Sequence, residues 1–128
     1  MALVDTVEHL KTALDYHLAR HNLLASNLAH LDTPDYVPVD LSRGFEGAMH
    51  VALGTTSAEH MQSTTHTDQG FRVFSDAAAS SGGDGNGVDL DRETVKIASN
   101  QLRYDMLAQL ASSELASLSW AANDGKMG

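Results

Sequence analysis

The sequence predicts a mainly α protein in which long N- and C-terminal helices pack as an α-hairpin or coiled coil, with an irregular middle that holds a short β element. Three observations predict it. Leu3, Val7, Leu10, Leu14, His17, His21, Leu24, Leu28 and Leu31 recur at alternating steps of four and three. A second run with helical periodicity fills the last third of the chain, and the stretch between the two is dominated by Ser, Thr, Gly and other small residues. The chain therefore divides into a helix over 1–31, an extended motif and loose middle over 32–87, and a helix over 88–125, expected to form one structural unit.

The first element is a heptad seam about four repeats long, the pattern of a helix that packs on other helices. Asp5, Glu8, Lys11, Asp15 and Arg20 lie off the seam, as a solvated face requires. A helix over 3–31 is about 43 Å long at 1.5 Å per residue. Pro34 and Pro38 follow directly, and they are the two prolines of the chain. Each removes a backbone donor and pushes its predecessor, Thr33 or Val37, out of the α region. The segment from Asp32 to Val39 is thus expected to be stiff and extended, with Tyr36 as its large anchor.

In the middle, "GFRVF" has the alternation of a short strand, while "AAASSGGDGNG" has linker composition. The second helix has two candidate caps, Asp89 and Asp91. Asp91 is favoured, because Leu90 and Val95 then form a hydrophobic staple. Asn123, Asp124 and Gly125 end the helix. Between these points run two adjoining apolar stripes. One is Ile97, Tyr104, Leu107, Ala111, Leu115, Leu118 and Ala122, and the other Val95, Ala98, Leu102, Met106 and Leu110. Together they are wider than one antiparallel partner covers, so neighbouring copies or relatives are expected to complete the core. Leu10, Leu14, Leu24, Leu28, Leu107, Leu115 and Leu118 are the residues expected to pack between subunits.

Composition narrows the function classes. A net charge of −9 opposes nucleic acid, whose phosphates are repelled, and disfavours an electrostatic hold on anionic membranes. The chain has no cysteine, so it carries neither a disulfide framework nor a thiolate metal site. The start lacks the basic, apolar and cleavage regions of a secretory signal, and no stretch approaches the roughly twenty apolar residues of a membrane span. His17 and His21 share a helix face, but two ligands do not make a metal site, and "HLARH" lacks a zincin glutamate. They read better as polar members of the seam. "DGNGVDLDRETV" starts like a calcium loop, yet Val88 and Val95 occupy its fifth and twelfth positions. No nucleophile elbow, phosphate loop or dinucleotide fingerprint is present, so neither enzyme activity nor a cofactor is expected.

"RHNLLASNLAHLDTPDYVPVDL" resembles the N-terminal signature of bacterial flagellar rod and hook proteins, carried here by Arg20, Asn27, Ala29, Asp32, Thr33, Pro34, Tyr36 and Asp40. "DGNGVDLDRETVKIASNQLRYDML" is similar to the C-terminal signature of the FlgB family of proximal rod proteins, through Asp84, Gly85, Asn86, Val88, Asp89, Glu93, Asn100, Leu102 and Tyr104. "TTSAEHM" supplies a further family element with Thr56 and His60. The pattern departs at His30, where a second Asn is usual, at Asp35, where Gly is usual, and at Val37, where a basic residue is usual. Asp tolerates positive φ, so a turn at Asp35 survives the change.

The resemblance implies a structural subunit of the proximal rod of the flagellar basal body, part of the periplasmic drive shaft and of the export-channel wall. It implies export through the flagellar type III apparatus without a cleaved signal. The implied partners are copies of itself, other rod proteins, the ring–rod junction protein and the export apparatus. The implied assembly residues are Asn27, Ala29, Thr33, Pro34, Tyr36, Asp40, Asp84, Asn86, Val88, Asp89, Glu93, Asn100 and Tyr104. The alternatives are another rod subunit and a generic helical adaptor.

Overall fold

The computed structural model describes residues 2–42, 65–66, 71–76 and 83–123. Most of the middle predicted to be loose lies outside the described residues, as do Thr56 and His60. Helix α1 spans Ala2–Ala29, 28 residues, and helix α2 spans Leu90–Ala122, 33 residues. Between them lie strands β1 (Val39–Ser42), β2 (Thr65–His66) and β3 (Arg72–Ser75). The strands form an antiparallel sheet in the order β1-β3-β2. β1 pairs with β3 in the register Val39 to Ser75 and Ser42 to Arg72, so "RVF" of the predicted strand "GFRVF" lies in the sheet's central member, which runs on to Ser75.

The helices are antiparallel, since His17 meets Asn100 while Asn27, further along α1, meets Glu93. α1 uses two faces. Leu10, His17, Leu24 and Asn27 are buried, in line with the seam or beside it. Tyr16 lies off the seam and is also buried. It packs with Leu41 and Phe71, against Ala19, Leu23 and Val73, and its ring meets Phe71 edge-on at 5.2 Å. Its hydroxyl donates to the Leu41 carbonyl at 2.7 Å. The heptad pattern reports one face of this helix and misses the other, because the sheet-facing positions are filled by Tyr16, Ala19 and Leu23 rather than by a regular leucine repeat.

Three expectations need correction. Asp89 caps α2, not Asp91: its extended backbone (φ −108°, ψ 118°) places the side chain to accept from the Arg92 N–H at 3.0 Å. Val95 is 68% exposed, so no staple forms with Leu90, and the reason for preferring Asp91 disappears. The exit of α1 is not simply extended. It tightens through bonds from His30 to Asn27, Leu31 to Leu28 and Thr33 to His30, then turns at Asp35, whose φ is +57°. Asp thus takes the left-handed position usual for glycine. Finally, Leu24 is wholly buried and Leu10 nearly so within the chain, which leaves neither a surface for a neighbouring subunit.

Candidate assembly site

The two ends of the sequence signature meet at the turn end of the hairpin. Asn27, on the last turn of α1, is fully buried with all four hydrogen-bonding positions of its amide in use. Its Nδ2 donates to the Val39 carbonyl at 2.7 Å and to Glu93 Oε2 at 3.0 Å. Its Oδ1 accepts from the Val39 N–H at 3.0 Å and from the Tyr36 hydroxyl at 3.2 Å. The side chain therefore pairs both backbone groups of Val39, as a neighbouring strand does. Tyr36 is anchored a second way, by stacking on His30 with ring centres 4.3 Å apart. His30 in turn donates from Nδ1 to the Ser26 carbonyl at 2.7 Å. His30, a departure from the family pattern, thus supports the turn.

The loop before α2 closes on the same turn. Asn86 donates from Nδ2 to the carbonyls of His30 and Leu31, at 3.0 and 2.6 Å. These carbonyls lie past the end of α1, where His30 takes only the Thr33 N–H of the tightened turn, so Asn86 caps the exit from a distance in sequence. Asp35 N donates to the Asp84 carbonyl at 3.3 Å, and Gly87 N to the Tyr36 carbonyl at 2.9 Å. Asn86 Oδ1 accepts from the Val88 N–H at 2.8 Å, and Asp84 Oδ1 from the Asn86 N–H at 3.1 Å. Gly85 sits at φ +77°, and a Cβ there meets the Asp35 carboxylate. Gly85→Ala is expected to destabilise the chain by about 1–2 kcal/mol, from left-handed strain plus displacement of Asp35. Chemical denaturation measures it.

Beside the clasp lies an ionic layer drawn from both helices and the sheet. Arg20 of α1 forms a two-pronged pair with Asp40 of β1, Nε to Oδ1 at 2.8 Å and NH2 to Oδ2 at 2.9 Å. Lys96 of α2 reaches Asp76 at 2.7 Å, Glu93 at 2.9 Å and Asp40 at 4.0 Å. Arg92 also binds Asp76, at 2.8 Å. Three cations thus face three carboxylates, and Glu93 is only 2% exposed. Further along, Asn100 donates from Nδ2 to the His17 carbonyl at 2.7 Å, while its Oδ1 lies 2.7 Å from His17 Nδ1. The amide must face the carbonyl, so the ring nitrogen facing Oδ1 is the donor.

These contacts shift ionisation. The hydrogen bond to Asp40 raises the pKa of Arg20 against the pull of burial. Burial pushes Asp76 up, but the hydrogen bond and charge of Lys96, with Arg92, outweigh it and hold the carboxyl below its ordinary value. Burial lowers Lys96, and its bonds to Asp76 and Glu93 outweigh that and raise it. Asp76, depressed on folding, contributes stability that is present above the unfolded carboxylate pKa and lost as pH falls through the folded value. Lys96, raised on folding, contributes stability that is present below the unfolded lysine pKa and lost as pH rises through the folded value. The denaturation midpoint is therefore expected to hold steady from about pH 5 to 10 and fall on either side. Asp76→Asn should flatten the acid limb, and denaturant titrations across pH check it.

Of the residues singled out in the sequence, Asn27, Tyr36, Asp40, Asp84, Asn86, Val88, Asp89, Glu93 and Asn100 enter these interactions. Ala29, Thr33 and Pro34 are exposed around the turn, and Tyr104 is half-buried one turn beyond Asn100. Asp76 and Lys96 were missed. Lys96 lies three residues after Glu93, a spacing that signals a helix-face ion pair, whereas nothing near Asp76 in sequence marks it as a partner of α2.

Outside the clasp, Val95, Leu102, Met106, Leu110 and Trp120 are between 47% and 68% exposed along α2. Leu14, Leu28, Leu107 and Leu118 are half-buried, and Leu115 is exposed. Among the described residues no group of three His, Cys, Asp or Glu is placed to hold a metal ion, and no helix is long and apolar enough to cross a membrane.

Two long antiparallel helices, clasped at one end and carrying an uncovered apolar stripe, make a helical structural subunit. The chain is 34% identical over 117 residues to the flagellar basal body rod protein FlgB of Salmonella typhimurium, covering 80% of this chain and 82% of that protein. It is 30% identical to FlgB of Aquifex aeolicus, covering 92% and 93%, and 25% identical to FlgB of Bacillus subtilis, covering 94% and 95%. No family model matches the chain. The chain belongs to the FlgB family of flagellar basal body rod proteins, and its role is structural, in the rod of the flagellar basal body.

Proposed function

We propose that the chain is a subunit of the proximal rod that forms part of the periplasmic drive shaft and the wall of the export channel. It packs there with copies of itself and other rod proteins, meets the ring–rod junction protein, and is delivered by the flagellar export apparatus without a cleaved signal. The observation that carries the reading is the outer stripe of α2. Val95, Leu102, Met106 and Leu110 remain largely exposed after α1 and the sheet have taken their places. A stripe of that length on one helix face fits a helix from a neighbouring subunit. Packing between subunits is assigned to this stripe and to Leu115, with Leu14, Leu28, Leu107 and Leu118 contributing their exposed edges.

The signature residues have a different role in this reading. Asn27, Tyr36, Asp40, Asp84, Asn86, Val88, Asp89, Glu93 and Asn100 serve assembly indirectly, by setting the shape that each subunit presents. Ala29, Thr33, Pro34 and Tyr104 retain surface for neighbours.

The test is a strain from which this chain is deleted, compared with the same strain carrying it on a plasmid. Loss of swimming, with basal bodies that lack a rod and recover on complementation, is the expected result. A deleted strain that swims and builds complete basal bodies overturns the proposal.

A further inference from the structure

Asparagine is followed by glycine at one place in the chain, Asn86–Gly87. The other four asparagines, Asn22, Asn27, Asn100 and Asn123, precede Leu, Leu, Gln and Asp. The pair has a chemistry of its own. A glycine nitrogen that has lost its proton can attack the amide carbon of the preceding side chain, because no Cβ obstructs it and the backbone bends freely there. A bond forms from Gly87 N to Asn86 Cγ and the Cγ–Nδ2 bond breaks. The nitrogen departs as ammonia, carrying a proton in place of the one that Gly87 gave up. Water then opens the succinimide ring at either carbonyl, leaving aspartate or isoaspartate.

The folded chain obstructs each step. Asn86 is only 5% exposed, so little water reaches it. The Gly87 N–H, whose proton must leave before attack, donates to the Tyr36 carbonyl at 2.9 Å. The departing nitrogen spends both its hydrogens on the carbonyls of His30 and Leu31, which have no proton to supply. Oδ1 accepts from the Val88 N–H at 2.8 Å, so the side chain turns towards Gly87 only by breaking all three bonds. Reaction therefore requires the clasp to open.

The product does not fit the site it came from. A carboxylate at position 86 has no hydrogens for the two turn carbonyls, and it sets a negative oxygen where the amide nitrogen lies 2.6 Å from the Leu31 carbonyl. It also adds a charge beside Asp84 and Asp35, which are joined through their backbones. Isoaspartate lengthens the main chain by a methylene as well, which moves Gly87 N off the Tyr36 carbonyl. We propose that Asn86–Gly87 is a spontaneous deamidation site that the clasp holds shut, and whose product cannot close the clasp again. The site belongs to the single chain and does not rest on the rod-subunit reading, so its test uses purified protein and no assembly.

The chain is incubated at mildly alkaline pH in native buffer and in guanidinium, and peptide mass spectrometry separates aspartate from isoaspartate at each asparagine. In guanidinium, Asn86 is expected to convert ahead of the other four, to a mixture containing isoaspartate. In native buffer its conversion should be about 100-fold slower, because only the open clasp reacts. Gly85→Ala keeps the Asn-Gly pair but strains the loop. If it retains its helical circular dichroism, it should convert about tenfold faster than the unaltered chain in native buffer. Equal rates in the two solvents overturn the shielding, as does a folded Gly85→Ala variant that is no faster. Failure of Asn86 to lead the other asparagines in guanidinium overturns the site itself. Asn86→Asp carries the aspartate product without ageing, and should melt about 10 °C or more below the unaltered chain. Failure to fold at all is the same result at its limit, and equal melting overturns the claim that the product cannot close the clasp.

Discussion

Asn27→Ala is expected to destabilise the chain by about 3–5 kcal/mol, enough to remove much of the stability of a domain this small. Ala deletes four hydrogen bonds at once. Four bonds at about 1 kcal/mol each set the scale, and the partners stay behind in a dry site. Val39 keeps an unpaired N–H and carbonyl, and Glu93 loses the amide that donates to Oε2, keeping Lys96 on Oε1. Guanidinium denaturation followed by circular dichroism measures the change. Asn27→Asp is the informative companion. It keeps the acceptor for Val39 N–H and Tyr36 but loses both donors, and it sets a second carboxylate 3.0 Å from Glu93. It should therefore destabilise the chain at neutral pH at least as much as Asn27→Ala, because two carboxylates then share a dry site. A loss below about 1 kcal/mol for Asn27→Ala would mean that water replaces the amide and that the clasp does not hold the turn.

That a polar residue on a leucine seam carries so much explains what was legible in the sequence and what was not. Helix positions follow from local periodicity, so α1 and α2 were placed within a few residues of their observed ends. The strand at Arg72–Ser75 was visible for the same reason, as alternation beside glycine. Contacts between distant residues leave no such trace. Asp76 binds Arg92 and Lys96 across 16 and 20 residues of sequence, and Asn86 binds the end of α1 across 55 and 56. Only the resemblance to rod proteins flagged Asn86, and it flagged it without a partner. The cap was misjudged because a staple was inferred from residue types, and the structure puts Val95 on the outward face. Tyr16 escaped because a helix that serves both a partner helix and a sheet carries two overlapping patterns, and the stronger leucine repeat conceals the other.

The same outward face sets the largest effect expected in a cell. Leu102→Asp with Met106→Asp should abolish swimming while leaving the isolated chain folded. Both residues are more than 60% exposed, at 62% and 63%, and lie one turn apart on the outer stripe of α2. Substitutions at such positions change the stability of a lone chain by roughly 0.5 kcal/mol or less each. In a helical assembly the same carboxylates enter a dry contact, repeated in every copy. Each then costs several kcal/mol in desolvation, beyond the apolar burial lost. The pair should therefore separate folding from assembly: an unchanged melting curve for purified protein, but no rod in isolated basal bodies. Leu10→Asp provides the contrast, since Leu10 is 7% exposed inside the chain and its replacement should lower the melting temperature of the isolated protein. If the Leu102 and Met106 variant swims at the wild-type speed, this stripe faces solvent in the rod. The neighbours must then be met through Leu115 and the exposed turn at Thr33 and Pro34 instead.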